Sequence, residues 1–299
     1  MKMEKTRGLR TIRMAALLAA VLVATMGCAT TQMIGVNTVG SPMVNDLIGK
    51  LLNTQSAALL AEGMPGNLLM VTGVTEMSPH NRLGLQQCAM LYASYGMMVE
   101  DKNKDYALEL YAIGKDYGMR ALSTNREFRI GLEEGKKIPE LVAGLDERYA
   151  DTLCWAGLNI GLTIIHQMDD PMALMGLPDA VALVRRSVEL DPNYFFGVGK
   201  AFLGAYFALV PEFLGLGGGP EASAAMFEEA RKVSDGKFLM VDVFEARYLS
   251  TYVDDQARFD SLMERVLTTP NNVLAGGMAM NDLAKVKART YMGMKSDLF

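Results

Sequence analysis

Four times along this chain, residues at positions i, i+4 and i+7 recur within an apolar stretch of helical spacing. They are Ala107-Tyr111-Gly114, Ala180-Val184-Ser187, Ser223-Phe227-Ala230 and Phe259-Met263-Val266. Residues so spaced lie on one face of a helix. In the first three sets, small residues flank a larger one. A preceding helix can therefore approach closely while the larger side chain fills the groove between them. Apolar residues keep this spacing from Asn45 onward, punctuated by short Gly, Pro and Asp breaks, and little of the chain alternates as a strand would. The pattern predicts helices near 45–61, 66–77, 81–99, 104–122, 147–168, 177–190, 194–210, 220–234, 238–252, 255–268 and 279–293. Links of a few residues force successive helices antiparallel, as hairpins.

The second triplet is closed by Leu190-Asp191-Pro192-Asn193. Small residues around a large one, ended by such a turn, resemble a tetratricopeptide hairpin. The intervals between triplets are 73, 43 and 36 residues, against about 34 in that repeat, and the fourth set has lost its small residues. The expected fold is an all-α array of degenerate, tetratricopeptide-like antiparallel hairpins over 43–299. Residues 123–146, charged and broken by Gly131, Gly135 and Pro139, are an insertion of loop with short helical pieces.

The amino terminus is of another kind. Lys2, Lys5, Arg7, Arg10 and Arg13 precede an apolar-to-small run, Met14–Met26, followed by Gly27 and Cys28. A basic head, a short hydrophobic run and a small residue before the cut describe a secretory signal. The run is shorter than the ~20 apolar residues of a membrane-spanning helix. Residues 1–27 resemble a bacterial lipoprotein signal, which implies lipidation of Cys28 and a tether over 28–42; Thr25 stands where that pattern usually has Leu. Ala29, rather than Asp, after the cysteine favours the outer membrane. Removing residues 1–27 takes away five basic residues and one acid from the 29 and 34 of the whole chain, leaving 24 against 33. Such a surface repels phosphate backbones, so nucleic acid is excluded as a partner. Cys88 and Cys154 form an even pair in an exported chain; both lie in apolar helices, and the sequence leaves free thiols or a disulfide open.

Residues 208–250, ALVPEFLGLGGGPEASAAMFEEARKVSDGKFLMVDVFEARYLS, resemble the T-component family of tripartite ATP-independent periplasmic (TRAP) transporters. The matching features are a Pro after a helix, a Gly-rich turn, a Pro-x-x-Ala helix start, Phe-Glu-x-Ala and an Ala-Arg-Tyr-like end. Residues 77–96 (MSPHNRLGLQQCAMLYASYG) and 146–161 (DERYADTLCWAGLNIG) resemble the family's Ser-Pro-x-Asn helix start and its aromatic central helix. The resemblance implies a periplasm-facing lipoprotein, often a homotrimer. It also implies a periplasmic substrate-binding protein as partner and an interior passage for an apolar small molecule.

Little else points to chemistry. Gly215-Leu216-Gly217-Gly218-Gly219 follows a helix and precedes Pro220-Glu221-Ala222, ordinary helix-start residues, not the Lys-Ser/Thr of a phosphate loop. His80 and His166 have no metal-ligand spacing, and no nucleophile motif occurs. His166 closes a helix, where the dipole favours a cation, with Asp169-Asp170 adjacent to orient it. No enzymatic activity, catalytic residue, metal or cofactor is expected. Residues 194–214 carry aromatics around more than one helix face, interleaved with glycines. This exceeds a single buried stripe, so the helix is either central and surrounded or borders an apolar passage. The candidates for that passage are Tyr194, Phe195, Phe196, Gly199, Phe202, Gly204 and Tyr206, with Trp155 from the neighbouring hairpin. Most of the 23 methionines lie in the mature chain and suit an adaptable apolar lining. The alternative function is an envelope scaffold lipoprotein that assembles proteins on its repeats without a small ligand.

Overall fold

A computed structural model describes residues 41–54, 56–210 and 217–299. The expected signal segment, Cys28 and most of the tether lie outside the described residues, as do residues 211–214 of the aromatic stretch. The helices are α1 (Ser41–Leu52), α2 (Ala57–Glu76), α3 (Arg82–Val99), α4 (Lys104–Leu122), α5 (Arg126–Glu133), α6 (Ile138–Leu141), α7 (Ala150–His166) and α8 (Pro171–Leu174). They continue as α9 (Leu177–Leu190), α10 (Val198–Leu209), α11 (Pro220–Val233), α12 (Met240–Phe244), α13 (Gln256–Thr268), α14 (Met278–Gly293) and α15 (Lys295–Leu298). No strand occurs among the described residues. The fold is all-α, as the spacing predicts.

The triplets are the buried spine. Ala107, Tyr111, Ala180, Val184, Ser223, Phe227, Ala230, Phe259, Met263 and Val266 are fully buried, and Ser187 nearly so. In each of the first three hairpins the middle residue meets a glycine of a neighbouring helix: Tyr111 at Gly96, Val184 at Gly157, Phe227 at Gly204. In the second and third of these, the triplet's serine reaches a backbone carbonyl across the hairpin. Ser187 Oγ donates to Ala150 O at 2.7 Å and Ser223 Oγ to Gly204 O at 2.7 Å. Glycine at the contact brings the helix backbone close enough for that bond, which satisfies a hydroxyl that burial would otherwise strand.

Leaving out the short α5, α6 and α8, successive helices pack from α2 to α14, and α14 returns onto α1 and α2. Asn53 Oδ1 accepts from Gly276 N at 2.9 Å, fastening the first link to the last. Helix α12 continues as a π-helix over Glu245–Ser250. There the buried Asp242 and Glu245 are neutralised by Arg231, which reaches both, by Arg265 on Asp242 and by Arg258 on Glu245.

Two boundaries differ from those the sequence predicts. The expected break near 62–65 is absent, and Pro65 sits inside α2. Leu60, Met64, Leu68 and Val71 are buried at helical spacing along α2, while Pro65 faces solvent. Water can satisfy the carbonyl whose partner the proline removes. The chain breaks instead between Leu52 and Ala57, where Ser56 caps α2 by accepting from Leu59 N at 3.1 Å. The helix expected from Tyr194 starts at Val198, because Phe195, Phe196 and Gly197 adopt left-handed φ of 42°, 59° and 83°. Residues 123–146 hold the short pieces α5 and α6.

Candidate functional site

An apolar chamber of about 280 Å³ lies between α7 and α10. It is lined by Gly161, Ile164 and Ile165 of α7, by Phe202, Tyr206, Leu209 and Val210 at the end of α10, and by Met168, Leu174 and Leu177. Its position follows from the helix sequences. Gly161 lacks a side chain, so the Phe202 ring can lie against the α7 backbone. The chain leaves α7 at Gln167, and Asp170 caps the short α8 by accepting from Met172 N at 2.8 Å. That turn sets Met168 and Leu174, both part-exposed, at the rim, with Met172 and Met175 beside them at 72% and 71% exposure. The flexible Met168 thioether in the lining can repack about different shapes.

Of the eight residues expected to border a passage, Phe202 and Tyr206 line the chamber. Gly199 faces Val184 and Val188 of α9, and Gly204 faces Phe227 of α11. These glycines permit helix packing on the other sides of α10. Trp155, Tyr194, Phe195 and Phe196 form a separate aromatic cluster with Phe238. Trp155 is fully buried and donates through Nε1 to the Tyr194 hydroxyl at 2.8 Å, and its ring meets Phe195 edge-on at 5.1 Å. The α7 and 168–177 contributions were not singled out in the sequence. The signal available was Gly157 and Gly161 four apart in an apolar helix, followed by Met168, Met172 and Met175.

Beside the chamber, the end of α7 enters a buried polar cluster. Glu100 receives Lys287 Nζ at 2.6 Å on Oε1, while His166 Nε2 lies 2.8 Å from Oε2 and the Tyr111 hydroxyl donates to the same oxygen. Lys287, 1% exposed, also reaches Asp101 at 2.9 Å. The Tyr111 and His166 rings stack at 6.1 Å. Burial alone would push the Glu100 carboxyl up, but the Lys287 ammonium and the His166 contact outweigh it and hold the group at about 2. Burial raises Tyr291 to about 12 and Tyr111 well above its usual range. Asp169 and Asp170, expected to orient His166, are replaced in that position by Glu100. The cluster joins α3, α4, α7 and α14, so His166 ties the chamber wall to the closure between the chain's two ends.

Cys88 and Cys154 are buried free thiols, and burial pushes Cys154 up to about 12. Among the described residues, no three His, Cys, Asp or Glu side chains gather to hold a metal, and no helix is long and apolar enough to cross a membrane. The arrangement can receive an apolar molecule.

A family model described as TRAP transporter T-component matches residues 54–299. No curated protein matches the chain.

Proposed function

The chain belongs to the TRAP transporter T-component family, and on that premise we propose that it serves TRAP-type uptake as a periplasm-facing lipoprotein. In this reading Cys28 carries the lipid, the body binds a periplasmic substrate-binding protein, and the chamber between α7 and α10 holds an apolar small molecule. Membership of the family makes the chain an accessory of TRAP transport. The observation that carries the ligand is the chamber itself: a cavity of about 280 Å³ with walls of Ile, Leu, Phe and Val and the exposed Met168 in its lining. Burial of apolar surface, worth about 25 cal/mol per Å², would supply affinity there, with shape setting the choice of ligand. The test is co-purification of the mature protein from its native envelope, with identification of retained proteins and lipids. Recovery of a substrate-binding protein and a stoichiometric apolar molecule is expected; recovery of neither overturns the reading.

One feature favours an assembly role beside it. Helix α2 leaves Leu59, Leu69 and Met70 exposed, next to Gly63, Gly66 and Gly73, whose Cβ positions meet nothing beyond the helix itself. A glycine in an exposed helix costs about 1 kcal/mol relative to alanine, and a flat face lets another helix approach closely. Homotrimer formation through this face accounts for both. A scaffold role without a ligand would keep this face and leave the chamber empty.

A further inference from the structure

Three methionines, Met168, Met172 and Met175, lie on the segment that joins α7 to α9 through the short α8. All three are exposed, Met172 and Met175 more than Met168, which is 45% exposed. Met168 differs from the other two in its place, because it alone of them belongs to the lining of the chamber, with Ile164, Leu174 and Phe202. One thioether sulfur is therefore open to water, and to reagents carried in it, while also forming part of an apolar wall. Other sulfurs are placed differently. Met64, Met240 and Met263 are buried. Cys88 and Cys154 are buried free thiols that burial pushes up, which denies them the thiolate that an oxidant attacks.

From this placement we infer that Met168 is an oxidation site that governs the chamber: a peroxide converts its thioether to the sulfoxide, and the chamber then releases its apolar ligand. The inference rests on the chamber's binding an apolar molecule, as proposed above. In the step, a sulfur lone pair takes one oxygen of hydrogen peroxide. An S–O bond forms, the O–O bond breaks and water leaves, so the sulfide is oxidised by two electrons and the peroxide is reduced by two. The product is a polar, chiral side chain where a flexible apolar one stood. Its oxygen either stays in the lining, where a ligand would cut it off from water at a cost, or turns out to solvent and takes the apolar side chain from the wall. Both courses weaken an apolar ligand. Met172 and Met175, outside the lining, change the surface on oxidation and leave the wall as it was. Methionine sulfoxide is returned to the thioether by reductases specific for each epimer, so the change is reversible.

Treatment of the purified full-length protein with hydrogen peroxide, then removal of the peroxide, separates the three sulfurs. Peptide mass mapping gives the sulfoxide at each position, and N-phenyl-1-naphthylamine fluorescence gives the affinity of the chamber. Met168→Leu keeps an apolar side chain that a peroxide cannot oxidise, and Met172→Leu combined with Met175→Leu removes its neighbours. The treated natural protein is expected to bind the probe about tenfold more weakly, the order expected when a polar group meets an apolar ligand. That loss should follow the sulfoxide at Met168, recur in the double variant and be absent from Met168→Leu. Methionine sulfoxide reductases acting on both epimers should restore binding, with helical content unchanged throughout. Loss of binding in Met168→Leu equal to that of the natural protein, failure of the reductases to restore it, or undiminished binding once Met168 is oxidised overturns the switch and leaves the chamber standing. Oxidation of Met172 and Met175 with Met168 untouched overturns the oxidation site. An untreated protein that binds no probe overturns the chamber as a ligand site as well.

Discussion

The ring of Phe202 occupies the space that a methyl group on Gly161 would need. This contact shapes the wall between α7 and α10, because a ring resting on backbone leaves the chamber beside it open. Gly161→Ala should drive the ring off α7 and into the cavity. Overpacking of this kind costs about 1–3 kcal/mol, partly offset by alanine's better helix propensity. The expected outcome is weaker binding of the neutral fluorescent probe N-phenyl-1-naphthylamine, with helical content unchanged and a modest loss in melting temperature. Undiminished probe binding would move the ligand elsewhere.

The hairpin glycines give a graded series. A Cβ on Gly204 would lie 3.0 Å from the Phe227 ring, whereas one on Gly96 would clash with the edge of the Tyr111 ring and one on Gly157 would come 2.6 Å from Val184. Gly204→Ala should therefore be close to neutral, since a small ring shift offsets the gain in helix propensity. Gly96→Ala should destabilise by about 1–3 kcal/mol, because Tyr111 is fully buried and bonded to Glu100. Denaturant unfolding of the two variants checks the order; the reverse order would show that the hairpins do not pack on these glycines.

That series rests on positions visible in the sequence. Ala107, Tyr111, Ser187, Ser223 and Phe227 share a helical face whatever the tertiary structure, so period alone places them in the spine. Pro65 misleads because a proline breaks a helix in isolation, whereas here the stripe Leu60–Met64–Leu68 holds the helix together on its opposite face. The left-handed turn at Phe195–Gly197 has no local signal beyond its glycine, since aromatics seldom accept positive φ. Most of the chamber escaped notice for a different reason. Phe202 and Tyr206 stand out among aromatics, but Gly161, Ile164 and Leu174 look like any core residue until α7 and α10 meet. The Glu100–Lys287 pair joins positions 187 residues apart, which no spacing rule connects.

The exposed face of α2 yields opposite expectations for two substitutions. Gly66→Ala should raise monomer stability by about 1 kcal/mol, as an exposed helical glycine replaced by alanine does. Leu69→Glu places a charge on a residue that is 74% exposed, so the monomer should tolerate it while an assembly sealed by this face should not. Sedimentation velocity at micromolar concentration is expected to give an oligomer for the natural protein and a monomer for Leu69→Glu. Identical sedimentation of both would remove α2 from the interface.

Anchoring through Cys28 is tested by Cys28→Ser. A serine cannot form the thioether that carries the lipid, and a single acyl chain binds membranes only marginally, so stable attachment needs the full modification. The variant should leave the membrane fraction for the soluble periplasm or stall as unprocessed precursor. A fully processed variant still bound to membranes would refute lipid anchoring.

The buried cluster beside the chamber makes stability depend on acid. Glu100 titrates at about 2 in the folded protein, below the 4.5 of an unperturbed glutamate. A carboxyl depressed by folding contributes stability that is fully present above its unfolded value and is lost as pH falls towards the folded one. The loss should run from about pH 5 to about pH 2, and Glu100→Gln should flatten it across that window. Lys287→Met leaves Glu100 and Asp101 without their shared ammonium in a site that is almost closed to water. Breaking a buried pair from one side costs about 3–5 kcal/mol. Combining the two substitutions should cost less than their sum, because the orphaned Glu100 charge is removed with its partner. Urea titrations of the two single variants and the double variant at neutral pH, repeated at pH 3, measure both effects. Strict additivity, or an unchanged acid slope in Glu100→Gln, would show that the cluster does not hold α14 to α3.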